Sequence, residues 1–124
     1  MTAASAEDEE EQTWLRRADD EAVQLDARLK YFALAQGTNS RDVLGFINEL
    51  NGFLATFEAW QPEADMLKDQ GRPAFGQQLA ALMQRVQYSL QTQQLAYNTK
   101  LAWERYQEQQ QRQSGMPPIG GIPD

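Results

Sequence analysis

Residues 40–61, Ser-Arg-Asp-Val-Leu-Gly-Phe-Ile-Asn-Glu-Leu-Asn-Gly-Phe-Leu-Ala-Thr-Phe-Glu-Ala-Trp-Gln, decide the fold class. Val43, Phe46, Leu50, Phe53, Phe57 and Trp60 recur three and four positions apart. That spacing puts all six on one side of an α-helix, whereas a strand would divide them between two faces. Ile47 and Leu54 widen the stripe. Upstream, Thr38-Asn39-Ser40 supplies oxygens for an N-cap, and Asp42 stands three after Asn39 in a capping-box-like place. Burying each large side chain is worth roughly 1.5–3 kcal/mol, so this helix is expected to contribute most of the core. Gly45 and Gly52 lie seven apart within it. Each costs about 1 kcal/mol relative to Ala in a helix interior, and a close helix crossing is expected there.

The same periodicity continues outward. Leu15, Ala18, Ala22, Leu25, Leu29 and Phe32, joined by Trp14, form a heptad seam on a first helix from Gln12 to Gln36, closed by Gly37. Pro62 interrupts the chain after the second helix. Glu63 to Gln70 reads as two short turns ended by Gly71, and Pro73 opens a last helix running to about Gln113. Unbroken, that helix would span ~60 Å. Its main stripe is Phe75, Leu79, Leu82, Val86, Leu90, Tyr97 and Leu101, interrupted by Gln93. The expected fold is all-α: an antiparallel helical bundle of three main helices with coiled-coil-like packing, the first two as a hairpin and a long C-terminal helix along them. Residues 1–11 read as a disordered acidic arm, 12–113 as the bundle domain, and 114–124 as a flexible Pro/Gly-rich tail.

Composition narrows the function classes. The chain has 124 residues, no histidine and no cysteine. Histidine is the usual acid–base group near neutral pH and the commonest metal ligand. Cysteine is the strongest side-chain nucleophile and the soft-metal ligand. Most familiar catalytic constellations are closed without them, so no enzyme activity, catalytic set, cofactor or metal site is expected. Glu63/Asp65/Asp69 and Asp19/Asp20/Glu21 match no calcium-loop spacing and read as solvated helix surface. A net charge of −7 argues against nucleic-acid or anionic-membrane partners. The charge is uneven: residues 1–71 carry 15 acids and 6 bases, and residues 72–124 carry 3 acids and 5 bases. No stretch approaches the roughly 20 apolar residues of a membrane span. The acidic start is not a secretory signal, and a cytoplasmic location is expected, with signal-independent secretion left open.

The residues singled out for function are apolar ones off the main seams. Tyr88, Leu95, Ala102 and Tyr106 form a second stripe on the last helix. Val23, Ala27, Tyr31 and Leu34 do so on the first. A helix apolar on two sides is usually contacted on two sides, so a homodimer or higher oligomer is expected. Trp103 is either a contact residue or packs back onto Trp14 or Trp60. In the tail, Met116, Ile119 and Ile122 fall three apart among prolines. A polyproline-II chain would align them as a docking motif. The expected partner-binding set is Tyr88, Leu95, Trp103, Tyr106, Met116, Ile119 and Ile122.

Three functions follow from this reading. The first is a non-enzymatic protein–protein interaction module: an adaptor, assembly factor or secretion-type chaperone. The second is an acidic inhibitor or nucleic-acid mimic using Glu7–Glu11 and Asp19–Glu21 against a basic site. The third is a ligand-binding bundle with a pocket near Asn48, Asn51, Gln93 and Asn98, residues that otherwise read as fixing helix register.

Overall fold

The computed structural model describes residues 6–35 and 39–115, which form four helices and, among the described residues, no strand. These are α1 (Ala6–Leu34), α2 (Ser40–Ala59), α3 (Gln61–Asp69) and α4 (Ala74–Gly115). The fold is an all-α bundle of three long helices, with α3 as a short brace.

Side-chain pairs fix the helix directions. Phe32 stacks on Phe46 at 4.3 Å between ring centroids, Arg28 grips Glu49, and Trp14 meets Trp60. Rising numbers on α1 thus meet falling numbers on α2, and the two are antiparallel. Asp19 accepts from Gln78, and Asp26 pairs with Arg85. Here the numbers rise together, so α1 and α4 are parallel and α2 runs against both.

The core lies where the three seams meet. Ala18 and Leu25 of α1, Phe46, Leu50 and Phe57 of α2, and Phe75, Leu79, Leu82 and Val86 of α4 are buried in one cluster. Leu15, Ala22, Leu29, Phe32, Phe53 and Leu90 are half-buried against it. The heptad residues therefore face inward as their spacing dictates. At one end, Trp14 lies 5.7 Å from Trp60 and 5.4 Å from Phe75, centroid to centroid. Such tilted and edge-on arrangements suit aromatic quadrupoles.

The α2–α3–α4 connection is short and well specified. Only Trp60 separates α2 from α3, and Pro62 falls in the first turn of α3, where its missing N–H costs nothing. At the other end Gly71 adopts φ +79°, donating to Lys68 O at 2.9 Å, while Arg72 N donates to Leu67 O at 2.8 Å. These two bonds are a Schellman closure, which needs the left-handed conformation that glycine adopts without strain. Ala64 and Leu67 bury the inner face of α3.

Several expectations change. Helix α1 starts at Ala6, not Gln12, so the acidic stretch is helical from Ala6 onward and not a disordered arm. Acids are favourable in the first turns of a helix, and Arg72 ties Asp8 and Glu11 back to the bundle. Residues 1–5 lie outside the described residues. Gly45 and Gly52 mark no helix crossing: a Cβ on either would meet nothing within 4 Å. The close approach is at Gly76, whose Cβ would come 3.7 Å from the Ala64 Cβ. Helix α4 runs through Gln93 and Gln94 without a break and on to Gly115, taking in Ser114 and Gly115.

The N-terminus of α2 is closed from two directions. Asn39 Oδ1 accepts from Asp42 N at 2.9 Å, the local cap. Glu104, from the far half of α4, accepts from Ser40 N at 2.8 Å and from Ser40 Oγ at 2.5 Å. A carboxylate there satisfies a free helix N–H and meets the positive end of the helix dipole. The Ser40 hydroxyl and backbone N–H hold the Glu104 carboxyl below the usual glutamate range. The folded pKa being the lower one, this contribution is complete above the unfolded value and fades as pH falls through the folded value. Glu104→Ala should therefore lower the melting temperature at neutral pH, and the deficit should shrink in acid as the parent loses the same contact. Thermal melts of both chains from neutral pH to strongly acidic pH check this; equal melting at neutral pH would contradict it.

Candidate functional site

The outward side of α4 is where the fold leaves apolar surface uncovered. Tyr88 is 73% exposed, Leu95 69%, Trp103 57% and Tyr106 51%. The core face of the same helix carries Phe75, Leu79, Leu82 and Val86, all buried. The two sets sit on opposite sides of one helix because their numbers fall half a turn apart.

The outer stripe is fuller than aliphatic and aromatic residues alone suggest. Thr92 and Thr99 belong to it, giving the series Tyr88, Thr92, Leu95, Thr99, Ala102, Tyr106, stepping alternately by four and three. All six are exposed. Thr92 Oγ1 donates to Tyr88 O at 3.1 Å, and Thr99 Oγ1 donates to Leu95 O at 2.9 Å. Each hydroxyl is thus satisfied by its own helix, which reduces the polar demand of the face. A count confined to apolar residue types misses both threonines; the seven-residue step from 92 to 99, parallel to that from 88 to 95, would have found them.

Trp103 does not return to Trp14 or Trp60. It stacks on Tyr106, with centroids 5.5 Å apart and planes 24° apart. Thr99 and Ala102 complete an apolar hollow beside this pair. Tyr88, Leu95, Trp103 and Tyr106 are thereby brought onto one continuous side of α4. Met116, Ile119 and Ile122 lie outside the described residues.

A second surface runs along the α1–α2 groove. Arg28 grips Glu49 through two bonds, Nε to Oε1 at 2.7 Å and Nη2 to Oε2 at 2.9 Å. The Arg28 guanidinium also lies 5.1 Å from the centre of the Tyr31 ring. Shallow hollows lie on either side of this bridge, one reaching Gly52 and the other Gly45. Val23, Tyr31 and Leu34 are exposed on α1.

The polar and acidic candidates are placed differently from what their sequence positions suggest. Asn48, Asn51 and Asn98 are exposed, and Gln93 is half-buried. The two asparagines of α2 therefore point away from the seam and fix no register there. Among the acids, Asp8 and Glu11 turn to Arg72, Asp19 to Gln78, and Asp26 to Arg85. Among the described residues, no group of three or more acids is placed to hold a metal ion, and no helix is long and apolar enough to cross a membrane.

No protein-family model, no curated protein and no solved structure matches the chain.

The open space above Gly45 and Gly52 carries a stability prediction. Gly45→Ala and Gly52→Ala should each stabilise the chain by up to about 1 kcal/mol, since the helix gains propensity and the methyl meets nothing. Urea unfolding checks this, and destabilisation by either change would mean that something occupies the groove in solution.

Proposed function

We infer that the chain is a non-enzymatic protein–protein interaction module: an adaptor, assembly factor or secretion-type chaperone, working in the cytoplasm. The observation that carries this reading is the uncovered stripe on α4, from Tyr88 to Tyr106, with Trp103 stacked at its far end. Scattered exposed apolar residues are ordinary, but a contiguous band of them is costly in water and marks contact surface. Tyr and Trp are the side chains most often found at the energetic centres of such contacts. The helix presents them on a rigid support, so binding does not have to order a loop first.

The charge distribution adds direction. The acids concentrate in residues 1–71, while α4 carries Arg85, Lys100, Arg105 and Arg112 against Glu104 and Glu108. The acidic helices α1 and α2 steer basic partners to their own side of the molecule, while the uncharged stripe of α4 offers affinity without net charge. The reading as an acidic mimic has less support, because four acids near the start of the chain are engaged with α4 and its preceding turn.

The test is capture from an extract of the source cells, with three baits: the intact chain, Tyr88→Glu/Leu95→Glu on α4, and Val23→Glu/Tyr31→Glu on α1. Loss of captured protein with the α4 variant alone is the expected result. Capture that is unchanged by the α4 variant but collapses at high salt would favour the acidic reading instead.

A further inference from the structure

We propose that the occupant of the outer α4 stripe is the same stripe of a second copy of this chain, the two α4 helices running antiparallel about a two-fold axis between Leu95 and Thr99. The proposal rests on the reading of this face as an interface and names its partner.

Three observations favour a second copy. The first is self-complementarity. About an axis between Leu95 and Thr99, Tyr88 falls opposite the other copy's Tyr106, Thr92 opposite its Ala102, and Leu95 opposite its Thr99. Aromatic meets aromatic at both ends, and small residues face small or medium ones between them. A two-fold contact requires this kind of match, because each surface must complement itself. The stacked Trp103 widens the aromatic end that receives Tyr88.

The second is charge. None of the six stripe residues is charged, and the positions beside them include Gln91, Asn98, Gln109 and Gln110. The chain as a whole carries −7, most of it in residues 1–71. Two like-charged molecules therefore meet with least repulsion along α4. Amide side chains both donate and accept hydrogen bonds, so an amide rim pairs with a copy of itself. A strongly charged partner would leave that rim unmatched.

The third is extent. From Tyr88 to Tyr106 the stripe is ~27 Å long at 1.5 Å per residue. Three of its side chains, counting Trp103, are aromatic and 51–73% exposed, so each retains half to three quarters of the ~150–250 Å² that a fully covered aromatic buries. With Leu95, the threonines and the amide rim, the face approaches the ~800 Å² per partner of a stable association.

Light scattering coupled to size-exclusion chromatography on the full chain should give twice the 14.1 kDa chain mass. Tyr88→Glu/Leu95→Glu should give the single mass with an unchanged helical circular dichroism spectrum, since both residues lie outside the core. The orientation is read by spin labels, for which the absence of native cysteine leaves clean single sites. Labels at Asn98→Cys sit near the axis and should lie ~10–15 Å apart, about one interhelical spacing plus a small axial offset. Labels at Gln110→Cys should be separated by ~40 Å. Short distances at both sites would mean a parallel pair and overturn the proposal. A monomer at all concentrations would overturn it too, while leaving the interface reading to be decided by capture. A dimer that survives Tyr88→Glu/Leu95→Glu would place self-association elsewhere on the molecule and also overturn it.

Discussion

The organising constraint is a mismatch of helix lengths. Helix α2 has 20 residues and α4 has 42, about 30 Å against about 63 Å. Packing α2 antiparallel to α4 buries the stripe that runs from Val43 to Phe57, but it cannot cover the whole of its neighbour. Helix α1 runs parallel to α4, and its last turns, at Tyr31 to Leu34, come after the Asp26–Arg85 pair. Beyond that level, among the described helices, the N-terminal part of α2 accompanies α4 as far as Glu104. Everything outward of these contacts, and everything past them, is left to solvent or to another molecule.

Glu104 marks where the internal packing ends. Its carboxylate reaches Ser40 across 64 positions of sequence and closes the N-terminus of α2. The contact joins the two helices at the end where hydrophobic packing thins, since Leu90, Tyr97 and Leu101 are only half-buried there. At the opposite end Trp14 of α1 and Phe75 of α4 pack on Trp60, the residue that caps the C-terminus of α2. One end is thus held by aromatic packing and the other by a charge-assisted cap. Hydrogen bonds to a carboxylate are stronger than neutral ones, which suits an end with little core.

Much of this was legible in the sequence because helical periodicity is a local property. The seams of α1, α2 and the first half of α4 face the core as their spacing requires, and Asn39 caps α2. The stripe from Tyr88 to Tyr106 is exposed, as a second apolar face without a sequence-adjacent partner should be. What was not legible depends on contacts distant in sequence. Whether residues 6–11 are helical turns on Arg72, which lies in the turn after α3. Gly45 and Gly52 suggested a crossing because helix interiors disfavour glycine, but which neighbour approaches is set by the bundle, and it approaches at Gly76. Trp103 had two possible homes. It stacks on Tyr106 because the aromatic cluster of Trp14 and Trp60 lies at the other end of the molecule. No local pattern in Gln-Gln at 93–94 says whether a helix continues, yet packing on both flanks carries α4 straight through.

The same geometry explains why the face is built on α4. A long helix held rigidly at one end presents side chains at fixed spacing without the ordering cost of a loop. The acids crowd onto the earlier helices, where Arg72 engages Asp8 and Glu11 and Arg85 engages Asp26, and no residue of the outer stripe of α4 is charged. Core, cap and charge placement leave the apolar stripe of α4 uncovered, alongside the smaller exposed set Val23, Tyr31 and Leu34 on α1.

Amide hydrogen exchange along α4, followed at low and high protein concentration, tests this account most directly. Protection from Phe75 to Val86 should not change with concentration, because those residues belong to the internal core. Protection from Tyr88 to Tyr106 should rise with concentration if a second copy covers the stripe, which the fold itself leaves exposed. Uniform exchange along α4 at every concentration, or protection that ends at Gln93 regardless of it, would contradict the claim that this helix carries the contact surface.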